Sequence, residues 1–172
     1  AAGRTAAVSG TDWLIVKSLA DGTPDPSFGT SGVVTVNFSN GTDEATGLVV
    51  RSDGKIVVAG AAGGAMGVAR LLANGTLDST FSGDGLATVS AGTLARANAV
   101  ALSGNKIVLA GYSSTAATGN QFTAVRLLAD GSLDTGFSGD GIATKEIAPG
   151  TAVDEANALA VLADGSVVLA GR

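Results

Sequence analysis

The feature that most constrains the fold of this chain is a sequence unit that occurs three times. One block reads LIVKSLADGTPDPSFGTSG from Leu14, and its counterparts are GVARLLANGTLDSTFSGDG from Gly67 and TAVRLLADGSLDTGFSGDG from Thr123. A second block of apolar residues follows each copy and ends in Ala-Gly, at Gly60, Gly111 and Gly171. Self-similarity at a fixed period is typical of architectures that stack one supersecondary unit.

The spacing of these blocks predicts the domain organisation. We interpret residues 1–172 as a single repeat domain, with repeat 1 at 12–64, repeat 2 at 65–120 and repeat 3 at 121–172. Residues 2–4 read Ala-Gly-Arg, as do residues 170–172, and the two are separated by three units of 56 residues. We therefore expect residues 1–11 to be the tail of a preceding repeat and a connection, in a chain cut from a longer array or permuted.

Each repeat predicts four short strands. Val- and Ile-rich runs alternate with Asp-Gly and Asn-Gly pairs, which favour tight turns because both residue types tolerate positive φ. The 26 glycines would destabilise helices. Four strands in about 56 residues match one blade of a β-propeller, so the predicted fold is all-β, with three four-stranded blades. A β-trefoil, which also has three four-stranded repeats, is the alternative.

The repeated residues resemble the delta-60 repeat family of bacterial proteins. The first half of its pattern is found here as Arg126-Leu127, Asp-Gly-Ser-Leu-Asp at 130–134, Phe137 and Asp140-Gly141. The second half is Asp-Gly-Lys-Ile-Val-Val-Ala-Gly at 53–60. The first copy departs from it at three positions, with Lys17, Ser18 and Pro24. The resemblance implies propeller blades in long exported or surface-associated proteins, with no catalytic residues assigned to the repeat.

Composition argues against several classes of function. The chain has no Cys and no His, which removes the usual nucleophile–base pairs and the commonest metal ligand. The net charge is −5 with scattered basic residues, whereas a nucleic-acid-binding protein concentrates them in a patch. No apolar run is long enough to span a bilayer. Gly54-Lys55 is followed by Ile56, so it is not a phosphate-binding loop.

The charged residues that recur predict structural ion pairs. A basic residue precedes an Asp by eight positions in every copy, and a Phe follows three residues later. A buried charge must be paired, so we expect each loop Asp to fold back onto the basic residue of its own repeat. The predicted structural positions are Lys17, Asp25, Phe28, Arg70, Asp78, Phe81, Arg126, Asp134 and Phe137. Replacement of Asp134 by Ala is therefore expected to lower stability.

Bulky apolar residues predict contacts between blades. Trp13, Met66 and Phe122 occupy one repeat position, four residues before the basic residue and therefore on the same strand face. We expect them to wedge between adjacent blades. Tyr112 is the one ring with a polar tip outside the repeat register, and we interpret it as a surface residue.

Metal, cofactor and catalytic sites receive little support from the sequence. The acids of the 130–140 loop could supply oxygen ligands to calcium, but the alternating Asp pattern of a calcium loop is absent. Glu44 and Glu155 could form a carboxylate pair of the glycosidase type, yet repeat 2 has Arg96 at that position. We expect no catalytic, cofactor-binding or metal site.

The sequence therefore predicts a structural or interaction module without enzymatic activity, from a bacterial exported or cell-surface protein. The alternative is a propeller that binds glycans, or binds through calcium, in adhesion. Three blades leave two open sheet edges, which are templates for further pairing. We expect either further blades in the same protein or a homodimer that closes a six-bladed ring. We expect neither nucleic acid nor a membrane as a partner.

Overall fold

The chain is built from β-strands. The computed structural model describes residues 1–7, 10–38, 41–147 and 153–172. The strands are β1 (Ala2–Ala7), β2 (Gly10–Val16), β3 (Val33–Val36), β4 (Asp43–Val50), β5 (Ile56–Ala62), β6 (Ala65–Leu71), β7 (Leu86–Val89), β8 (Leu94–Ser103), β9 (Lys106–Thr115), β10 (Thr118–Leu127), β11 (Ile142–Lys145), β12 (Ala156–Val161) and β13 (Val167–Gly171). Within those described ranges no helix has the length and apolarity to cross a membrane.

The strands form separate antiparallel sheets in which neighbours in sequence are neighbours in space. Sheet I contains β1, β2 and β3, and sheet II contains β4 to β7. Sheet III contains β8 to β11, and sheet IV contains β12 and β13. The all-β prediction is confirmed. The β-trefoil alternative is wrong, because the described strands do not join into the single closed sheet that a trefoil requires.

The sheets are offset from the sequence repeats. Sheet II runs from β4 to β7 and so crosses the repeat boundary at residues 64 and 65. Its first two strands come from repeat 1 and its last two from repeat 2. The hairpin between β5 and β6 explains the offset, since Ile56 pairs with Leu71 and Ala62 with Ala65 across a tight Gly63-Gly64 turn. A sequence period therefore does not mark where a sheet begins.

Successive sheets pack on one another. β4 contacts β1 and β2 of sheet I, β8 contacts β4, β5 and β6 of sheet II, and β12 contacts β8 and β9 of sheet III. Two apolar clusters fill the spaces between the sheets. Their largest members, Trp13, Phe28 and Phe81, are fully buried. Burial of one such side chain contributes about 1.5–3 kcal/mol, so this packing holds the stack together.

The first strand of sheets II, III and IV has a β-bulge at the same repeat position. The extra residues are Thr46, Asn98 and Asn157, which are skipped in the pairing register with the second strand. Two of the bulged side chains reach across to the next sheet. The Thr46 hydroxyl donates to the Ala97 carbonyl at 2.8 Å, and the Asn98 amide donates to the Ala156 carbonyl at 2.9 Å. Bulges thus join three successive first strands.

The bulge explains the Ala-Gly pair that recurs in each second strand. A Cβ added to Gly60 would lie 2.0 Å from the Glu44 carbonyl oxygen, and one added to Gly111 would lie 1.9 Å from that of Arg96. No side chain fits at these distances, because the bulged strand approaches the neighbouring backbone too closely. The recurring glycine is therefore required by a close backbone approach.

Candidate functional site

The most buried ion pair among the described residues joins Arg70 to Asp78, at the base of the β6–β7 connection. The Asp78 carboxylate accepts hydrogen bonds from Arg70 Nε at 2.7 Å and from Lys55 Nζ at 2.9 Å. The side chains of Asp78 and Arg70 are 4% and 5% exposed. Arg70 also donates to the Thr80 hydroxyl at 2.8 Å. Two cations on one buried carboxylate fix the loop against the sheet.

Local turn geometry explains why an acid stands at this position. The other Asp78 oxygen accepts the Thr80 N–H at 3.1 Å and the Thr80 hydroxyl at 2.7 Å, as is usual for an Asp that begins a turn. Burial by itself would raise the pKa of the Asp78 carboxyl, but hydrogen bonds from Lys55, Thr80 and Arg70 outweigh it and hold that pKa well below its usual range. The group is ionised at neutral pH.

The third repeat has the same arrangement. Asp134 accepts Arg126 Nε at 2.6 Å and Lys106 Nζ at 2.7 Å. The hydrogen bond from Lys106 is the main cause that lowers the pKa of Asp134, and the bond from Arg126 adds to it. The Arg126 side chain is 16% exposed. This group is thus a more open version of the one around Asp78.

The first repeat has the simplest version. Lys17 Nζ lies 2.9 Å from the Asp25 carboxylate, and the Lys17 side chain is 41% exposed. The Ser27 hydroxyl hydrogen bond, followed by that from Lys17, lowers the pKa of Asp25 to about 2. The structure therefore brings together each of the three pairs for which the sequence predicted an ion pair.

Each cation also lies over the Phe of its own repeat. The Arg70 guanidinium is 4.8 Å from the centre of the Phe81 ring, and the Arg126 guanidinium is 4.7 Å from that of Phe137. Lys17 Nζ is 5.8 Å from the centre of the Phe28 ring. A cation over an aromatic face is favourable, most of all where water is excluded. The nine predicted positions thus form three clusters, each of a cation, an acid and an aromatic ring.

Sequence reasoning missed the second cation of two clusters. Lys55 and Lys106 precede their acids by 23 and 28 residues. Lys55 lies directly before β5, and Lys106 is the first residue of β9. The antiparallel register of β5 and β6 places Val57 opposite Arg70, which brings the start of β5 to the same end of the sheet. The recurring Lys-Ile-Val at residues 55–57 and 106–108 was the signal that could have identified them.

The acids considered as calcium ligands are engaged in turns. Asp130 Oδ1 accepts the Ser132 N–H at 3.0 Å, and Asp140 Oδ1 accepts the Ile142 N–H at 2.9 Å. Among the described residues no three acids converge as a metal site would require. Asp134, the acid between them in sequence, binds two cations instead. This loop therefore gives no geometric support to the calcium alternative.

The predicted wedge residues lie between sheets to different degrees. Trp13 is fully buried, and its indole Nε1 donates to the Ala61 carbonyl of the next sheet at 2.8 Å. A Cβ added to Gly67 would lie 2.9 Å from the Trp13 ring, so this glycine makes room for the indole. Met66 is fully buried as well, whereas Phe122 is partly exposed.

An open cleft lies between sheets II and III, at the end where β4 and β8 begin. It has a volume of about 350 Å³, and Gly63, Gly64, Leu94, Arg96 and Tyr112 contribute to its lining. Arg96 extends back to sheet II, where its guanidinium lies 3.0 Å from the Glu44 carboxylate. Arg96, which stands in repeat 2 where the other repeats have Glu, is thus the ion-pair partner of an acid on the preceding sheet. Glu44 and Arg96 were missed as a pair because they lie in different repeats.

Comparison with known proteins gives a partial family match. Residues 51–81 and 104–137 match the family described as "Domain of unknown function (DUF5122) beta-propeller". Each stretch runs from the end of one repeat into the next, at corresponding positions, and each contains a full cation–acid–aromatic cluster. The chain is therefore similar to a β-propeller-like repeat family. No curated protein matches the sequence.

Proposed function

We propose that this chain is a non-enzymatic structural and interaction module made of β-propeller blades of the delta-60 type. The three repeats of about 56 residues would correspond to three four-stranded blades, offset by two strands from the sequence repeats. The proposal is supported by sheets that pack one after another and by the partial family match. Its context would be a bacterial exported or cell-surface protein.

One observation carries the proposal: the recurring acids already have structural partners. Asp25, Asp78 and Asp134 each neutralise a cation of their own repeat. A general acid or a nucleophile has to reach a substrate, and these carboxylates are almost entirely buried. Glu44, the acid beside the open cleft, forms its ion pair with Arg96. The charges of the repeat therefore favour a rigid scaffold over a reaction centre.

Self-association or continuation of the array is suggested by the open sheet edges. Sheet IV has two strands in the described residues, so both β12 and β13 are edge strands there. An edge strand presents unpaired N–H and C=O groups to any strand that can join it. The proposed partner is therefore further blades of the same kind, in the same protein or in a second copy that closes a six-bladed ring.

Hydrolysis of model glycosides tests the absence of catalysis. The wild-type protein and Glu44→Gln would be assayed with a panel of fluorogenic glycosides, and Asp84→Asn on an exposed turn serves as the matched control. We expect no turnover above buffer in any of the three. Turnover that Glu44→Gln abolishes and Asp84→Asn retains would overturn the non-enzymatic assignment.

The second candidate function is a glycan-binding propeller used in adhesion. It is favoured by the cleft of about 350 Å³, whose lining includes Tyr112, Arg96 and the glycines Gly63 and Gly64. An aromatic ring can stack on a sugar, and a guanidinium can bind a sugar carboxylate in a bidentate manner. A glycan array read with wild type and Tyr112→Ala, with calcium and with chelator, tests this function and its calcium-dependent form. Binding that Tyr112→Ala removes would favour it over the scaffold role.

A further inference from the structure

The connections between successive sheets contain a repeated contact, in which a Phe of one sheet packs beneath an Asn-Gly or Asp-Gly turn of the next sheet. We call this contact the joint. Phe28, at the base of the β2–β3 connection of sheet I, is fully buried beneath the Asn74-Gly75 turn of sheet II. The Gly29 N–H donates to the Asn74 carbonyl at 2.8 Å. A Cβ added to Gly75 would lie 3.1 Å from the Phe28 ring and 3.0 Å from the Gly29 nitrogen. The turn fits the aromatic ring because its second residue is glycine.

The next joint has the same parts. Phe81 of sheet II is fully buried, and a Cβ on Gly131 of sheet III would lie 3.0 Å from its ring. The Ser82 N–H donates to the Asp130 carbonyl at 2.7 Å, as Gly29 does one repeat earlier. Arg70 adds a hydrogen bond to the Ala129 carbonyl of the same turn. A complete joint therefore contains a buried Phe, a turn glycine above its ring, and a hydrogen bond from the N–H after the Phe to a carbonyl of the turn.

Phe137 is the third copy of the Phe in this joint, and no turn of a neighbouring sheet packs over it in the described part of the chain. Phe137 is partly exposed where Phe28 and Phe81 are fully buried. Among the described residues Arg126 donates through Nε to Asp134, without the carbonyl bond to a neighbouring turn that Arg70 makes. The Ser138 N–H has no backbone acceptor there, although its counterpart Ser82 has one. We call Phe122, Arg126, Phe137 and Ser138 the socket.

The first copy of the turn has no Phe of a preceding sheet beneath it among the described residues. Asp21-Gly22 occupies the repeat position of Asn74-Gly75 and Asp130-Gly131. Gly22 is exposed, and a Cβ added to it would meet no atom within 4 Å. Gly75, by contrast, is buried. We call residues 19–22 the plug.

We propose that the plug of one copy of this chain seats in the socket of a second copy, so that two copies associate head to tail. This inference rests on the proposed function and names the partner and the residues of its open end. In the new joint Phe137 lies beneath Gly22, the Ser138 N–H donates to the Asp21 carbonyl, and Arg126 donates to the Ala20 carbonyl. Each contact copies one that the chain already makes between its own sheets.

The space beside the socket suits the strands on either side of the plug. A cleft of about 390 Å³ lies between β10, β11 and β13, and Phe122, Phe137, Val167 and Leu169 contribute to its lining. Its place corresponds to the third and fourth strands of a complete sheet IV, which β2 and β3 of the second copy supply. Met66, the counterpart of Phe122, is fully buried at an internal joint. The partly exposed Phe122 would be covered in the same way.

The strand register also suits this arrangement. Leu169 corresponds to Val58, which pairs with Ala69, and Ala69 corresponds to Val16. Within one chain Ala1 already pairs with Val16, because the Val16 N–H donates to the Ala1 carbonyl at 2.8 Å and the Ala1 amine donates to the Val16 carbonyl at 2.8 Å. In the proposed dimer Leu169 of one copy takes the place of Ala1 of the other, so β13 pairs with the end of β2 while the rest of β1 keeps the beginning. Residues 2–4 and 170–172 occupy the same repeat positions, so one set gives way at each junction. Two copies give six blades, within the range of four to eight usual for propellers, whereas three copies would give nine.

Sedimentation velocity over a concentration series tests the proposal with three variants. Gly22→Ala blocks the plug, because its Cβ would meet the Phe137 ring as a Cβ on Gly75 would meet Phe28. Gly165→Ala is the matched control, since both glycines have φ of +85° and open space around them. Phe137→Ala removes the socket ring. We expect dimers for wild type and Gly165→Ala, and dimerisation weaker by about tenfold or more for the other two.

A mixing experiment identifies the head-to-tail arrangement. Gly22→Ala retains an intact socket and Phe137→Ala retains an intact plug, so their mixture should form a one-to-one dimer through a single joint. The proposal is overturned by a wild type that stays monomeric, by equal effects of Gly22→Ala and Gly165→Ala, or by a mixture without heterodimers. Glycosidase turnover would refute the scaffold role and leave these association data unaffected, so the two failures are distinguishable.

Discussion

Removal of the Asp78 carboxylate tests the structural role of the cation–acid–aromatic clusters most directly. In Asp78→Ala, Arg70 stays at 5% exposure and loses its 2.7 Å partner. Breaking a buried pair by removal of one partner costs about 3–5 kcal/mol, because an uncompensated charge is left behind. Lys55 is 29% exposed and can turn to solvent, so the larger part of the cost comes from Arg70. For a chain of this size we expect the Tm to fall by roughly 10 °C.

The matched control is Asp84→Ala in the same connection. Asp84 is exposed, and its carboxylate accepts the Leu86 N–H at 2.9 Å. Loss of one exposed hydrogen bond costs about 0.5–1.5 kcal/mol or less. Urea unfolding of both variants, followed by circular dichroism, gives the difference in the free energy of unfolding. Equal destabilisation by the two substitutions would refute the buried-pair reasoning.

A double variant separates the charge from the shape of the loop. Replacement of a whole buried ion pair by apolar residues is often neutral or stabilising. Arg70→Met with Asp78→Leu should therefore recover most of the stability lost in Asp78→Ala. Recovery should be incomplete, because Arg70 also donates to the Ala129 carbonyl and lies over the Phe81 ring. A double variant as unstable as Asp78→Ala would show that the unpaired charge is not the cause.

Two further predictions concern the acid of the first repeat and the glycine of the close backbone approach. The pKa of Asp25 is about 2 in the folded chain against an ordinary 3.8, so the folded state binds fewer protons between these values. The stability present above about pH 4 should therefore fall as the pH drops towards 2. Thermal melts across that range should show a weaker fall for Asp25→Asn than for wild type, and an equal fall would contradict the assignment. Gly60→Ala should destabilise the protein by about 2 kcal/mol or more, because its Cβ would lie 2.0 Å from the Glu44 carbonyl oxygen. Gly3 is at the same repeat position with nothing within 4 Å, so Gly3→Ala should be nearly neutral in urea unfolding. Similar costs for both substitutions would refute the close-approach explanation.

Local sequence signals were sufficient to predict the ion pairs within each repeat. Arg70 and Asp78 are eight residues apart, and the strand end and turn between them have few ways to fold. The Asp-Gly and Asn-Gly turns were predictable for the same reason, since Gly22, Gly75 and Gly131 all have positive φ. The all-β fold could be inferred from the length and composition of the apolar runs.

Contacts that join different strands or sheets could not be predicted from spacing alone. Lys55 reaches Asp78 through the register of the β5–β6 hairpin, which the sequence does not specify. The Arg96–Glu44 pair depends on how two sheets stack. The offset between sheets and repeats was missed because the same four strands can be grouped in more than one way along a periodic sequence. Side-chain partners across such boundaries are a property of packing.

The offset between sheets and repeats has a consequence for how the chain folds as it is synthesised. A first repeat emerging alone contains β2 to β5, which belong half to sheet I and half to sheet II. Sheet II is complete only when β7, which ends at Val89, has left the ribosome. The sheet that a repeat begins is thus completed only when the next repeat has been synthesised. Unfolding of one repeat would remove strands from two sheets. Stability is shared between neighbours, so the array should gain and lose structure in steps that span repeat boundaries.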